Sequence, residues 1–380
     1  MSFTTKMLLP IFAWPDTVKT PLRGRIQMTQ ERMYNVQILR FIAASAVVFS
    51  HSADLILAKD SFIWTVPWTS GVDVFFVISG FIMHWLARDK FGQDGASKDF
   101  LIRRLIRVIP SYWIFTLITI FVVGFMGGRV RNTSIDPTYV VTSLLFVPWP
   151  RINGQMNPVL AQGWTLNYEM FFYAAFALFI NIKKGYRYLI CTFTIISIIY
   201  YWIPDKYVII KYLSSPIILE FVAGIILSMI YQSGRRMSAV QSNTCIVAAL
   251  ALFVGLKALI DAIGGVPGPV FLLPAFILCA AFVLRVQPND ISRVGRWLVV
   301  GGDASYTIYL SHYLTVNAII LLWGRLGIGL PVVELCVAMA AALITSLCFY
   351  FAIERPLTAA LQRCLKPRTV GASATGPNGR

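Results

Sequence analysis

Apolar and polar residues follow one another along this chain in long blocks rather than at short periods. Near-continuous apolar runs cover residues 36–57, 71–87, 105–125, 163–181, 188–202, 213–231, 246–259, 270–284, 304–323 and 332–353. A helix needs about 20 mostly apolar residues to cross the hydrocarbon core of a bilayer. The pattern therefore predicts an all-α, polytopic integral membrane protein with about ten transmembrane helices. A segment at 1–35 precedes the first run, one transmembrane domain fills 36–354, and a basic tail, finally rich in Gly, Ser and Pro, takes 355–380. The longest connection, 127–162, contains Pro137, Pro148, Pro150 and Pro158, and its stretch 139–146 predicts a short interfacial helix.

Composition excludes the soluble alternatives. Hydrophobic residues make up 57% and charged residues 13% of the 380 positions, whereas soluble chains average about 25% charged. The count of 33 Lys and Arg against 17 Asp and Glu leaves a net charge of +16. On a soluble chain that excess points to nucleic acid. Here the cations fall between apolar runs, so they orient the chain in the bilayer and no nucleic-acid partner is expected. With the N-terminus, 88–104, 183–187, Arg235, Arg236, Arg293, Arg296 and the tail on one side, roughly 25 of the 33 basic residues are cytoplasmic and both termini lie inside. The six cysteines form no CxxC pair and no Cys/His set with zinc-ligand spacing, so free thiols and no metal are expected. No signal peptide with a cleavage site is evident; the apolar piece at 7–14 is too short to span, and Met28 is an alternative start.

Ionisable groups inside apolar runs are costly and face the bundle interior, which marks them for function. Arg40 and His51 sit eleven residues apart in the first run, about three turns or roughly 16 Å along one helix face. A neutral imidazole in an apolar site suits a general base; the competing reading is a structural histidine bonded to a neighbouring helix. Arg103, Arg104 and Arg107 crowd the mouth of the third run. They suit either bidentate phosphate binding or plain anchoring. Glu169 lies about two turns into its run, a depth at which it can approach His51 or pair structurally. Glu220, and His312 with Tyr309 and Tyr306 on its face, read as interhelical hydrogen bonding. Asp73 and His84 flank a run containing the small residues Ser79 and Gly80, with His84 interfacial rather than catalytic. Glu354 with Pro356 reads as a helix end at the cytoplasmic surface.

Taken in order, NVQILRFIAASAVVFSH, GVDVFFVISGFIM, RRLIRVIPSYW, WTLNYEMFFY, ILEFVAG, GDASYTIYLSH and IERP resemble the membrane acyltransferase family (acyltransferase type 3). The likeness spans about 35–356 and looks most like ExoZ-type exopolysaccharide O-acetyltransferases. It implies transfer of an acyl group, usually acetyl, from cytosolic acyl-CoA, a cosubstrate rather than a bound cofactor, to a hydroxyl of a glycan or lipid-linked saccharide in a bacterial inner membrane. The family's arginine and histidine of the first helix fall on Arg40 and His51, its paired arginines on Arg104 and Arg107, and its acidic residue on Glu169. His51, Glu169 and Arg40 are thereby the catalytic candidates. Arg104, Arg107 and Arg103 are those for the acyl donor, and Asp73, Tyr173, Tyr309 and His312 those for the acceptor. The chain has Ser311-His312-Tyr313 where the family usually places an aromatic residue before the last histidine. The rival reading is a secondary transporter exporting a saccharide or metabolite with His and Glu as proton relay, although no inverted repeat is evident.

Overall fold

The computed structural model describes residues 33–58, 62–125, 136–151, 154–264, 269–288 and 290–364. The N-terminal segment up to residue 32, with the run at 7–14 and Met28, and the tail beyond 364 lie outside the described residues. Among the described residues the structure is helical, with α1 (Tyr34–Ile56), α2 (Gly71–Ala87), α3 (Ala96–Phe125), α4 (Pro137–Leu144), α5 (Trp164–Ile180), α6 (Tyr186–Ile199) and α7 (Val208–Leu213). There follow α8 (Leu219–Gln232), α9 (Ala239–Ile263), α10 (Leu272–Val283), α11 (Arg293–Asp303), α12 (Ser305–Leu326), α13 (Pro331–Phe349) and α14 (Arg355–Cys364).

Each apolar run of the sequence corresponds to a helix, but among the described residues seven helical stretches are long and apolar enough to cross a membrane. The runs at 163–181, 188–202 and 270–284 fold as α5, α6 and α10, of 17, 14 and 12 residues. Each is short of the about 20 residues a span needs. The reason is local. A 3-10 turn at Ala161–Gly163 precedes α5, and α6 passes into another at Tyr200–Trp202. The short helix expected in this connection is α4: Pro137 occupies its first turn and the Asp136 side chain accepts from the Tyr139 backbone N–H at 3.1 Å.

Three helices were not legible as apolar runs: α7, α11 and α14. α11, capped by Ser292, carries Arg293, Arg296 and Asp303 among its apolar residues. α14 corrects the reading of Glu354 and Pro356 as a helix end. A π-helical turn at Tyr350–Glu354 carries α13 into α14, and Pro356 falls in the first turn of α14, where a missing N–H costs nothing. Glu354 is buried and accepts a hydrogen bond from the Thr307 hydroxyl.

Close helix approach builds the core, as expected where lipid offers no hydrophobic drive between helices and packing must hold them. On α2 and α8, a Cβ at Gly80 would lie 2.1 Å from the Phe221 carbonyl oxygen, and one at Gly224 would lie 2.1 Å from that of Val77. Polar links reinforce the same contact: the buried His84 Nδ1 is 2.9 Å from Ser228 Oγ, which accepts from Gln232 Nε2 at 3.0 Å. α5 adds an aromatic layer in which Phe172 stacks on Phe221 at 4.2 Å. By contrast α9 is mostly exposed, with 11% of its most apolar window buried, and presents its apolar surface outward.

Candidate active site

Helices α1, α2, α3, α5 and α12 enclose a cavity with about 820 Å³ of empty space, part of it open. Helical spacing explains the lining. On α3, Arg104 and Arg107 are one turn apart and share a face; on α5, Thr165, Glu169 and Tyr173 follow at four-residue steps; on α12, Tyr306 and Tyr309 follow at three. Arg40 enters from α1, buried to 7% exposure. Among the lining residues three guanidinium groups, Arg40, Arg104 and Arg107, meet the single carboxylate of Glu169. Asp303 and Glu354 also act electrostatically on Arg40. The lining of this end therefore carries more cation than anion, with Asp303 and Glu354 behind it offsetting part of the arginine charge, and enclosure strengthens its field beyond what exposed arginines would exert.

Local contacts hold these cations in place. Arg40 donates to Gln37 Oε1 at 2.9 Å. The Arg104 guanidinium lies 5.8 Å from the Phe100 ring centroid and 6.0 Å from that of Tyr173. Tyr173 donates to Glu169, which also accepts from Ser79 Oγ at 3.4 Å. Arg103 belongs to none of this. One residue is about 100° of helix, and Arg103 is exposed, paired with Asp99 at 2.7 Å.

The opposite end of the cavity is formed by Thr165 and Tyr309, whose hydroxyls lie 3.2 Å apart. Behind the Tyr309 ring, at 6.1 Å between centroids, stands the fully buried His312. Its Nε2 is 2.8 Å from His51 Nδ1. His51 is partly buried and does not itself line the cavity. The expected approach of Glu169 to His51 is therefore corrected: the imidazole's hydrogen-bond partner is a second imidazole, and Glu169 serves the arginine end. Asp73 is also placed elsewhere. Its carboxyl lies against that of Glu220 on α8, while its neighbour Val72 lines the cavity.

Sequence reasoning missed Thr165, Ser305 and Gln162. Thr165 and Ser305 stand four residues before Glu169 and Tyr309, so the same face periodicity would have found them. The Ser305 hydroxyl is buried without a hydrogen-bond partner beside the cavity. The Gln162 side chain is likewise buried and unpartnered, while its carbonyl accepts from the Tyr309 hydroxyl at 3.2 Å. Over this end, Arg151 clamps the connection before α5, donating from Nε to the Tyr139 hydroxyl at 2.6 Å and from Nη2 to the Pro158 carbonyl at 2.8 Å. Burial pushes the Tyr139 hydroxyl above its ordinary range, and the Arg151 charge opposes that shift.

Comparison with known proteins identifies the chain's relatives. A family model described as an acyltransferase domain (acyltransferase type 3) matches residues 33–351. The exopolysaccharide production protein ExoZ of Rhizobium meliloti (strain 1021) is 32% identical over 292 residues, 76% of this chain and 89% of that protein. The acyltransferase MdmB of Streptomyces mycarofaciens is 25% identical over 322 residues, 75% of this chain and 79% of that protein. No solved structure matches the chain significantly.

Proposed function

This chain belongs to the acyltransferase type 3 family and is a membrane acyltransferase, and we propose that it moves acetyl, or another short acyl group, from acyl-CoA to a saccharide hydroxyl. The observation that carries the reading is one cavity with three guanidiniums at one end and, just past Tyr309 at the other, an imidazole pair. An acyl-CoA has that polarity: phosphates at one end, a thin arm, and a thioester at the other. Arg104 and Arg107 take the phosphates, since guanidinium forks match phosphate oxygens bidentately. Arg40 lies along the path of the arm. The thioester reaches His51 past the Tyr309 ring.

His51 then acts as general base. The acceptor O–H gives its proton to the ring as its oxygen bonds to the acyl carbon. The C–S bond breaks, and the departing sulfur takes the proton from the imidazole to leave as thiol. Such assistance contributes about 10²–10⁴-fold. The Ser305 hydroxyl, one turn before Tyr309 in the cavity wall, and the Gln162 amide, beside the Tyr309 hydroxyl, supply buried unpaired polar atoms for binding the acceptor or the developing oxyanion. Glu169, held by Tyr173 and Ser79, offsets part of the arginine charge and fixes those side chains.

The likeness to ExoZ favours a glycan acceptor, free or lipid-linked, and the Lys/Arg bias favours a bacterial inner membrane with the arginine end cytoplasmic. The test is acyl transfer from labelled acetyl-CoA in lipid nanodiscs, with surface glycan from the native cell as acceptor. The wild type is expected to release CoA and label the glycan, and His51→Ala to do neither while keeping its thermal unfolding midpoint. Undiminished labelling by that variant would remove His51 from the chemistry.

A further inference from the structure

The imidazole pair specifies more than proximity. His312 Nδ1 lies 3.1 Å from the Ile308 carbonyl oxygen, one turn back on α12. A carbonyl only accepts, and its two lone pairs can take a ring N–H as well as the helix N–H. The proton of the neutral His312 ring therefore sits on Nδ1, and its Nε2 carries a lone pair. That lone pair faces His51 Nδ1 at 2.8 Å, so the proton in this contact belongs to His51. A neutral imidazole has one N–H. His51 Nε2 is left as the basic nitrogen.

Ring geometry supports the direction. The two rings are parallel to within 6°, with centroids 5.1 Å apart and facing nitrogens 2.8 Å apart. Rings stacked face to face would have centroids about as close as their nearest atoms. These rings instead meet edge to edge in nearly one plane, which aims the N–H along the neighbouring lone pair. Tyr313 stands perpendicular to both rings, at 6.2 Å from His51 and 6.5 Å from His312. It limits their rotation.

We infer that His312 is a positioning residue: anchored on the Ile308 carbonyl, it holds His51 in the tautomer whose Nε2 accepts the acceptor's proton. The inference rests on the reading of His51 as base and adds which nitrogen reacts and what selects it. In the opposite arrangement His51 Nε2 would carry the hydrogen and could take no proton. When Nε2 is protonated during transfer, the Nδ1–H bond to His312 remains and spreads the new charge. The hydrogen then passes from Nε2 to the leaving thiolate, and the chain of two rings and one carbonyl returns unchanged.

The chain has three histidines, so nitrogen NMR of histidine-labelled protein in nanodiscs reads each ring directly; His84→Gln identifies the third. In the wild type, His51 is expected to show a protonated Nδ1 and an unprotonated Nε2. His312→Leu should move the His51 proton toward Nε2 and lower kcat about 100-fold with KM for the acyl donor unchanged. His312→Gln offers an amide oxygen to His51 Nδ1 and should recover kcat to within about tenfold of wild type. A wild-type His51 protonated at Nε2, or equal kcat losses in the Leu and Gln variants, overturns the inference whether or not His51 is the base. Normal transfer by His51→Ala together with the expected wild-type spectrum overturns the base and leaves the tautomer assignment standing. The wild-type spectrum decides the assignment even if a substitution at the buried His312 fails to fold.

Discussion

Removal of both cavity arginines of α3 separates phosphate binding from membrane anchoring. In Arg104→Ala/Arg107→Ala the lining changes from three guanidiniums against one carboxylate to one against one, so the cationic end loses its excess charge. A hydrogen bond to a charged group is worth about 1.5–3 kcal/mol. Losing one such bond per arginine costs about 3–6 kcal/mol, and at about 1.4 kcal/mol per decade KM for acyl-CoA rises about 10²–10⁴-fold. The control stands next door. Arg103 carries the same charge but is exposed and paired with Asp99, and surface pairs contribute little. Arg103→Ala should therefore change KM by less than about threefold. Initial-rate measurements with acetyl-CoA, paired with a pantetheine thioester lacking the phosphates, make the comparison. The double variant should use the truncated donor as well as the wild type does, because the lost interaction is with phosphate. An unchanged KM for acetyl-CoA in the double variant, or an equal rise in Arg103→Ala, would refute a local phosphate grip.

Two further outcomes concern the frame around the site. Gly224→Val places new atoms against the α2 backbone, where even a Cβ would come 2.1 Å from the Val77 carbonyl oxygen. It should cost at least the about 1–3 kcal/mol of an overpacked core, seen as a lower thermal midpoint in detergent; an unchanged midpoint would deny the close α2–α8 approach. Arg151→Ala removes the clamp on the Tyr139 hydroxyl and the Asn157 and Pro158 carbonyls. It should raise protease cleavage within 136–164 several-fold while leaving KM for acyl-CoA within about twofold, since charge-assisted bonds contribute about 1.5–3 kcal/mol but lie away from the arginine end. Cleavage at the wild-type rate would show that the clamp does not order this connection.

Much of the site was legible as a set of residues and little of it as a set of contacts. Arg40, His51, Arg104, Arg107 and Glu169 stand out because ionisable groups are rare in apolar runs. Their partners do not. Glu169 and His51 have similar depth from opposite counting directions, yet Glu169 meets Tyr173 and Ser79, while His51 meets a residue 261 positions away. Depth is a coordinate along one axis; contact also needs the rotation of each helix and its neighbours. Arg103 was grouped with its arginine neighbours and Asp73 with the acceptor residues, yet one step of about 100° turned each from the cavity that Arg104 and Val72 line.

The chain's own pattern determined that it is helical, apolar enough for a bilayer and furnished with interior charge, because those properties follow from local composition and period. It also brought Arg104 with Arg107, and Tyr306 with Tyr309 and His312, onto common faces, since helix geometry is local. Tertiary structure decided the rest: that three arginines from two helices share one cavity, that Glu354 is buried against Thr307, and that a carbonyl on α12 orders two rings on different helices. Those pairings arise from how helices distant in sequence pack, through close contacts such as Gly80 on Phe221, and no local rule of spacing contains them.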